Sequence, residues 1–81
     1  MEKIEIERKI IEQVEVLSAQ KVPDNDFNIF SKGFLDSLNI LHIILCMESE
    51  FSIQVNPYDL TIDTLNSINK IVFFIEEKID A

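Results

Sequence analysis

The sequence predicts an all-α fold, a small bundle of three long helices and one short one. Two observations carry this. Three stretches repeat apolar residues at spacings of three and four, and two of them follow a residue able to cap a helix. The only glycine, Gly33, and both prolines, Pro23 and Pro57, fall between those stretches. At 81 residues the chain is expected to be one domain, residues 1–81, with no internal repeat, linker or low-complexity segment. A chain of this size buries only about 60% of the surface its unfolded form exposes, so its core must be dense and a large cleft is not expected.

Residues 2–20 place Ile6, Ile10, Val14 and Leu17 at spacings of four, four and three, with charged residues filling much of the remainder. That is a surface helix with one buried stripe. From Lys21 to Asp36 the periodicity disappears and Pro23, Asp24, Asn25, Asp26, Asn28 and Ser31 accumulate. The pattern predicts a long loop, tacked down by Phe27, Phe30 and Phe34, and loops of this length usually have a function. Ser37 to Phe51 reads as the second helix, with Asp36 as N-cap. Asn56-Pro57 ends the segment that follows it. Thr61 to Leu65 suits a short helical turn, and Ser67 caps a last helix that turns Ile68, Ile71, Val72, Ile75 and Ile79 inward.

The second helix carries more apolar surface than a small bundle needs. At about 100° per residue, Ile40, Ile43, Ile44, Met47 and Phe51 share a stripe roughly 100° wide, which suffices for a core. Leu38, Leu41 and Leu45 form another about 140° away, bordered by Ser37 and Glu48 on one side and His42 and Ser49 on the other. Either this helix is buried nearly all round, or the second stripe meets a partner or lines a space for something tethered at Ser37.

Charge and composition exclude several functions. Seven basic and fifteen acidic residues give a net charge of −8, which repels nucleic acid and anionic membranes and favours partners with basic surfaces. No apolar run reaches the length of about 20 residues that a membrane span needs, because Asn39 and His42 interrupt Leu38 to Met47. The single cysteine, Cys46, has no partner for an internal disulfide, and Met1 leads straight into a charged amphipathic stretch. A soluble, cytoplasmic protein without a signal peptide is expected.

Ser37 is the residue with chemical potential. As a nucleophile it needs a base within about 3 Å. The only histidine, His42, lies about 140° around the helix and about 7.5 Å along it, and Asp36 is better used as a cap. As a modified residue it is well placed, since a phosphodiester there meets free backbone N–H groups and the positive end of the helix dipole. Gly33 lets the preceding loop turn sharply and leaves the approach uncrowded.

The segment GFLDSLNILHIILCMESEFSIQV resembles the region around the modified serine of acyl and peptidyl carrier proteins: Asp-Ser-Leu opens a helix that ends in an acidic run, a Phe and an alternating apolar pair. LTIDTLNSINKIVFFIEEKI is similar to the third helix of that family and the cap of its fourth, so the likeness covers nearly the whole chain. The resemblance implies the four-helix bundle of the acyl-carrier type, phosphopantetheine on Ser37, and cargo held as a thioester on the thiol of that arm. It also implies as partners a phosphopantetheinyl transferase and enzymes that load and transfer acyl or aminoacyl groups. Asn39 and His42 stand where many fatty-acid carriers have acidic residues. GFLDS, with glycine three residues before the aspartate, resembles D-alanyl carriers and carriers of specialised polyketide or aminoacyl pathways.

Other signals are weaker. Asp24, Asp26 and Asn28 match the first ligand positions of a calcium loop, but Ile29 stands where the turn needs glycine and Leu35 where a bidentate glutamate closes the shell. His42 reads as a solvent-edge or partner-contact residue, with no second histidine or cysteine at metal-ligand spacing on its face. Cys46 reads as a small packing residue and Glu76-Glu77-Lys78 as a solvated face. The sequence is therefore expected to be that of a free-standing, monomeric carrier with no catalysis of its own and no metal. Asp36 and Ser37 form its attachment site, and Leu38, Leu41, His42, Leu45 and Glu48 its docking surface. The alternatives are a D-alanyl carrier, or an unmodified helical interaction module.

Overall fold

Over the residues it describes, 2–31 and 33–80, the computed structural model is all-helical. Helix α1 spans Lys3–Ser18, α2 Ser37–Phe51, α3 Ile62–Leu65 and α4 Ile68–Asp80, with a single 3-10 turn at Pro57–Asp59. The three long helices and the short one stand where the apolar spacing puts them. Helix α1 packs on α2 and α4, and α3 packs on α4.

Each helix buries one stripe. Ile6, Ile10 and Val14 of α1 meet Ile40, Ile43, Ile44 and Met47 of α2 and Ile68, Ile71, Val72, Phe74 and Ile75 of α4 in a single core cluster. Leu17, Phe51 and Ile79 pack against it half-buried. Burying each such side chain contributes about 1.5–3 kcal/mol, and isoleucine loses little rotamer freedom in doing so. The core is correspondingly rich in isoleucine.

The helix ends show local chemistry. Helix α1 stops two residues short of the predicted 20 because Ala19 turns left-handed at φ 57°, and Ser18 then exchanges hydrogen bonds with Gln20. Helix α2 ends the same way at Ser52, φ 55°, whose N–H and that of Ile53 both donate to the Glu48 carbonyl. Thr61 caps α3 by accepting from the Thr64 N–H, and the Ser67 hydroxyl caps α4 by accepting from the Lys70 N–H.

The long loop is pinned more firmly than its phenylalanines indicate. Phe27 and Phe34 meet edge to face with centroids 5.0 Å apart, but the deepest anchor is Ile29, fully buried, with Leu35 also in the core. The Ile29 N–H donates to the Asn66 carbonyl at 2.9 Å, and the Asn25 carbonyl accepts from the Asn69 N–H at 3.0 Å. Asn69 lies in the first turn of α4, so the loop satisfies one of that helix's orphan amides. The acidic cluster is occupied in this scaffolding: Asp24 accepts from the Asp26 N–H, Asn28 from the Phe30 N–H, and Asp26 from the Asn69 side chain at 2.7 Å.

The Glu76-Glu77-Lys78 run lies at the surface, with Glu77 exposed and its two neighbours half-exposed. Within it the Lys78 ammonium reaches Asp59 at 2.9 Å and lies 5.4 Å from the centre of the Phe74 ring, because a long side chain on the last helix can cross to the 3-10 turn.

Candidate functional site

The start of α2 is built from Ser31 and residues 33–40. The Phe34 N–H donates to the Ser31 carbonyl at 2.9 Å, and within that turn Gly33 adopts φ +67°. A Cβ added at Gly33 would meet nothing within 4 Å, so the backbone angle, and not crowding, is what glycine serves here. Phe34 and Leu35 are then buried, which fixes the direction from which the chain enters the helix. Leu35 and Ile40 occupy the flanking positions of a hydrophobic staple within one core cluster.

Asp36 makes a reciprocal cap with Asn39. Its carboxylate accepts from the Asn39 N–H at 2.9 Å, and the Asn39 side-chain oxygen accepts from the Asp36 N–H at 3.1 Å. That occupies the one carboxylate adjacent to Ser37. Ser37 follows as the first helical residue, exposed, and helix geometry leaves the N–H groups of Ser37 and Leu38 without intrahelical partners.

The second leucine stripe faces outward. Leu38 is 74% exposed, Leu45 54% and Leu41 40%, so α2 is not buried all round. His42 is exposed beside them. Glu48 is half-buried, and its carboxylate accepts from the Val55 N–H at 2.8 Å, engaged with the chain that leaves α2. A residue absent from the sequence reading joins this surface: Ile62 of α3, 56% exposed. Ile62 and Leu41 share with Ser37 the lining of a small hollow of about 70 Å³, floored by Ile40 and Leu65. The only signal for Ile62 was that a one-turn helix capped by Thr61 needs just Leu65 inward. A larger hollow, about 550 Å³ between the 26–28 loop and α4, includes neither Ser37 nor any of these leucines.

On the same helix the reading of His42 needs correction. Cys46 stands one turn beyond it, on the same face, with His42 Nε2 3.7 Å from Cys46 Sγ. The i, i+4 spacing makes this unavoidable on an α-helix.

No family model matches the chain. It is 34% identical over 70 residues to a D-alanyl carrier protein of Streptococcus sanguinis, covering 85% of this chain and 89% of that one. A D-alanyl carrier protein of Streptococcus uberis is 34% identical over 73 residues, 89% of this chain and 92% of its own. One of Leuconostoc mesenteroides is 29% identical over 77 residues, 94% and 99%. With the helical bundle already described, these likenesses place the chain plainly: it belongs to the carrier-protein family. No helix among the described residues is long and apolar enough to cross a membrane.

Proposed function

We propose that Ser37 carries a phosphopantetheine arm and that the protein presents a small aminoacyl group, of the D-alanyl kind for which its relatives are named, as a thioester on that arm. The observation that supports this most is an exposed serine at the first position of a well-capped helix, where two backbone amides lack helical partners. Those amides and the helix dipole favour a phosphodiester at this point. The arm supplies a thiol for thioester formation. The hollow beside Ser37, about 70 Å³, lies next to the point of attachment.

The chain's own residues position and present, and the catalysis belongs to partners. Asp36 is spent on the cap, and His42 lies more than a turn from Ser37. A phosphopantetheinyl transferase and then loading and transferring enzymes would meet Leu38, Leu41 and Leu45, rimmed by His42 and Glu48 and extended by Ile62. Such a small apolar surface suits weak contacts that exchange quickly. A cytoplasmic setting agrees with the single, unpaired Cys46.

Intact mass after incubation with a promiscuous transferase and coenzyme A tests the attachment. One phosphopantetheinyl group is expected on the wild type and none on Ser37→Ala, whose stability should stay within about 0.5 kcal/mol of wild type. Transfer to another residue, or to none with several transferases, refutes the assignment.

A further inference from the structure

We propose that His42 and Cys46 form a two-ligand chelate for a thiophilic divalent cation of the zinc class. They stand at i and i+4 on one face of α2, the spacing by which helical zinc motifs present a ligand pair. Their separation fits the chemistry. With zinc–sulfur and zinc–nitrogen bonds of about 2.3 and 2.0 Å at a tetrahedral angle, the two ligand atoms lie about 3.5 Å apart. His42 Nε2 and Cys46 Sγ are 3.7 Å apart before any metal enters. The distance between the two ligand atoms is therefore already close to what a shared ion requires.

Access and ligand type agree with this. His42 is exposed and Cys46 half-exposed, so an ion reaches them from solvent without opening the core. A thiolate with an imidazole selects zinc, cobalt and similar ions over calcium or magnesium, which demand oxygen ligands. Among the described residues no group of three potential ligands forms. One chain thus supplies two positions of the tetrahedron and leaves the others to water or an outside donor.

The test uses the unmodified full chain, so that no other thiol is present and the outcome does not depend on the arm proposed for Ser37. Cobalt(II) is titrated into the reduced protein while thiolate-to-cobalt charge-transfer absorption is followed, and zinc is then added. A saturable band that equimolar zinc displaces is expected. Cys46→Ser should abolish the band and His42→Ala should weaken cobalt binding at least tenfold, with helicity unchanged in both. Absence of the band in the wild type, or equal affinity in His42→Ala, overturns the chelate: the first means cobalt held only by surface carboxylates, the second a thiol acting alone.

Discussion

Gly33 holds a left-handed backbone angle in open space, which separates two effects that usually act together. Replacing it with alanine creates no clash, so its cost is the intrinsic penalty of an L-residue at φ +67°, roughly 1–2 kcal/mol. The loss of unfolded-state freedom on removing glycine returns about 0.4–1 kcal/mol. The net expectation is a loss on the order of 1 kcal/mol for Gly33→Ala, and a smaller one for Gly33→Asn, since asparagine tolerates the left-handed region. Urea denaturation of the three proteins measures it. An alanine variant as stable as wild type would show that the turn does not require the angle. Ala19 holds the same left-handed angle without glycine, which is why the sequence sets the end of α1 two residues late, whereas it sets the end of α2 correctly at Phe51 although Ser52 also turns left-handed.

Helix α2 separates its two apolar stripes cleanly enough to be tested side by side. Met47 is 2% exposed in the core, and an aspartate there buries an unpaired carboxylate at a cost of several kcal/mol, comparable to the whole stability of about 5–15 kcal/mol of a small domain. Leu38, 74% exposed, keeps its substituent in water, so Leu38→Asp should change stability by no more than about 0.5 kcal/mol. Chemical denaturation followed by helicity should show collapse of Met47→Asp alone. Equal collapse of both would mean that the leucine stripe packs inside. Leu41→Asp should fall between them, because Leu41 is only 40% exposed and lines the hollow beside Ser37. This division of the helix was legible in the sequence because a period of 3.6 residues fixes which side chains share a face. Asp36 as cap was legible for the same local reason. Ile62 was not, since its place beside Leu41 depends on how a one-turn helix is set against another element. Neither was the bond from the Val55 N–H to Glu48, which depends on the path taken by the chain after α2.

At the scale of the molecule, the long loop adds a buried anchor to the core and the charge balance adjusts the stability. The loop's deepest anchor, Ile29, carried no periodic signal because its partners, the Asn66 carbonyl and the core between the helices, are distant in sequence. The overall charge, by contrast, is read directly. A net charge of −8 on a body of 33 × 26 × 19 Å is felt across the whole fold when the Debye length is about 30 Å, at 0.01 M salt, and only locally when it is about 8 Å, at 0.15 M. Against this repulsion stand three ion pairs among the described residues: Lys9 with Glu50, Lys21 with Glu15, and Lys78 with Asp59. All are at the surface, where such pairs contribute little and are themselves screened. The hydrogen bond and charge of Glu50 hold the Lys9 ammonium above its ordinary value of 10.5. A raised lysine contributes its stability fully below the unfolded value and loses it as pH rises through the folded one, so at neutral pH that pair is intact and its attraction is among the terms that salt screens. Screening should therefore remove more repulsion than attraction. Raising sodium chloride from 0.01 to 0.15 M at pH 7 is expected to stabilise the fold, by something on the order of 1 kcal/mol. Thermal unfolding at the two salt concentrations measures it, and the same change should be nearly absent near pH 4.5, where protonation of carboxylates removes most of the excess negative charge. A lower Tm at the higher salt concentration at pH 7 would mean that the three lysine pairs, and not self-repulsion, dominate the electrostatics of the folded state.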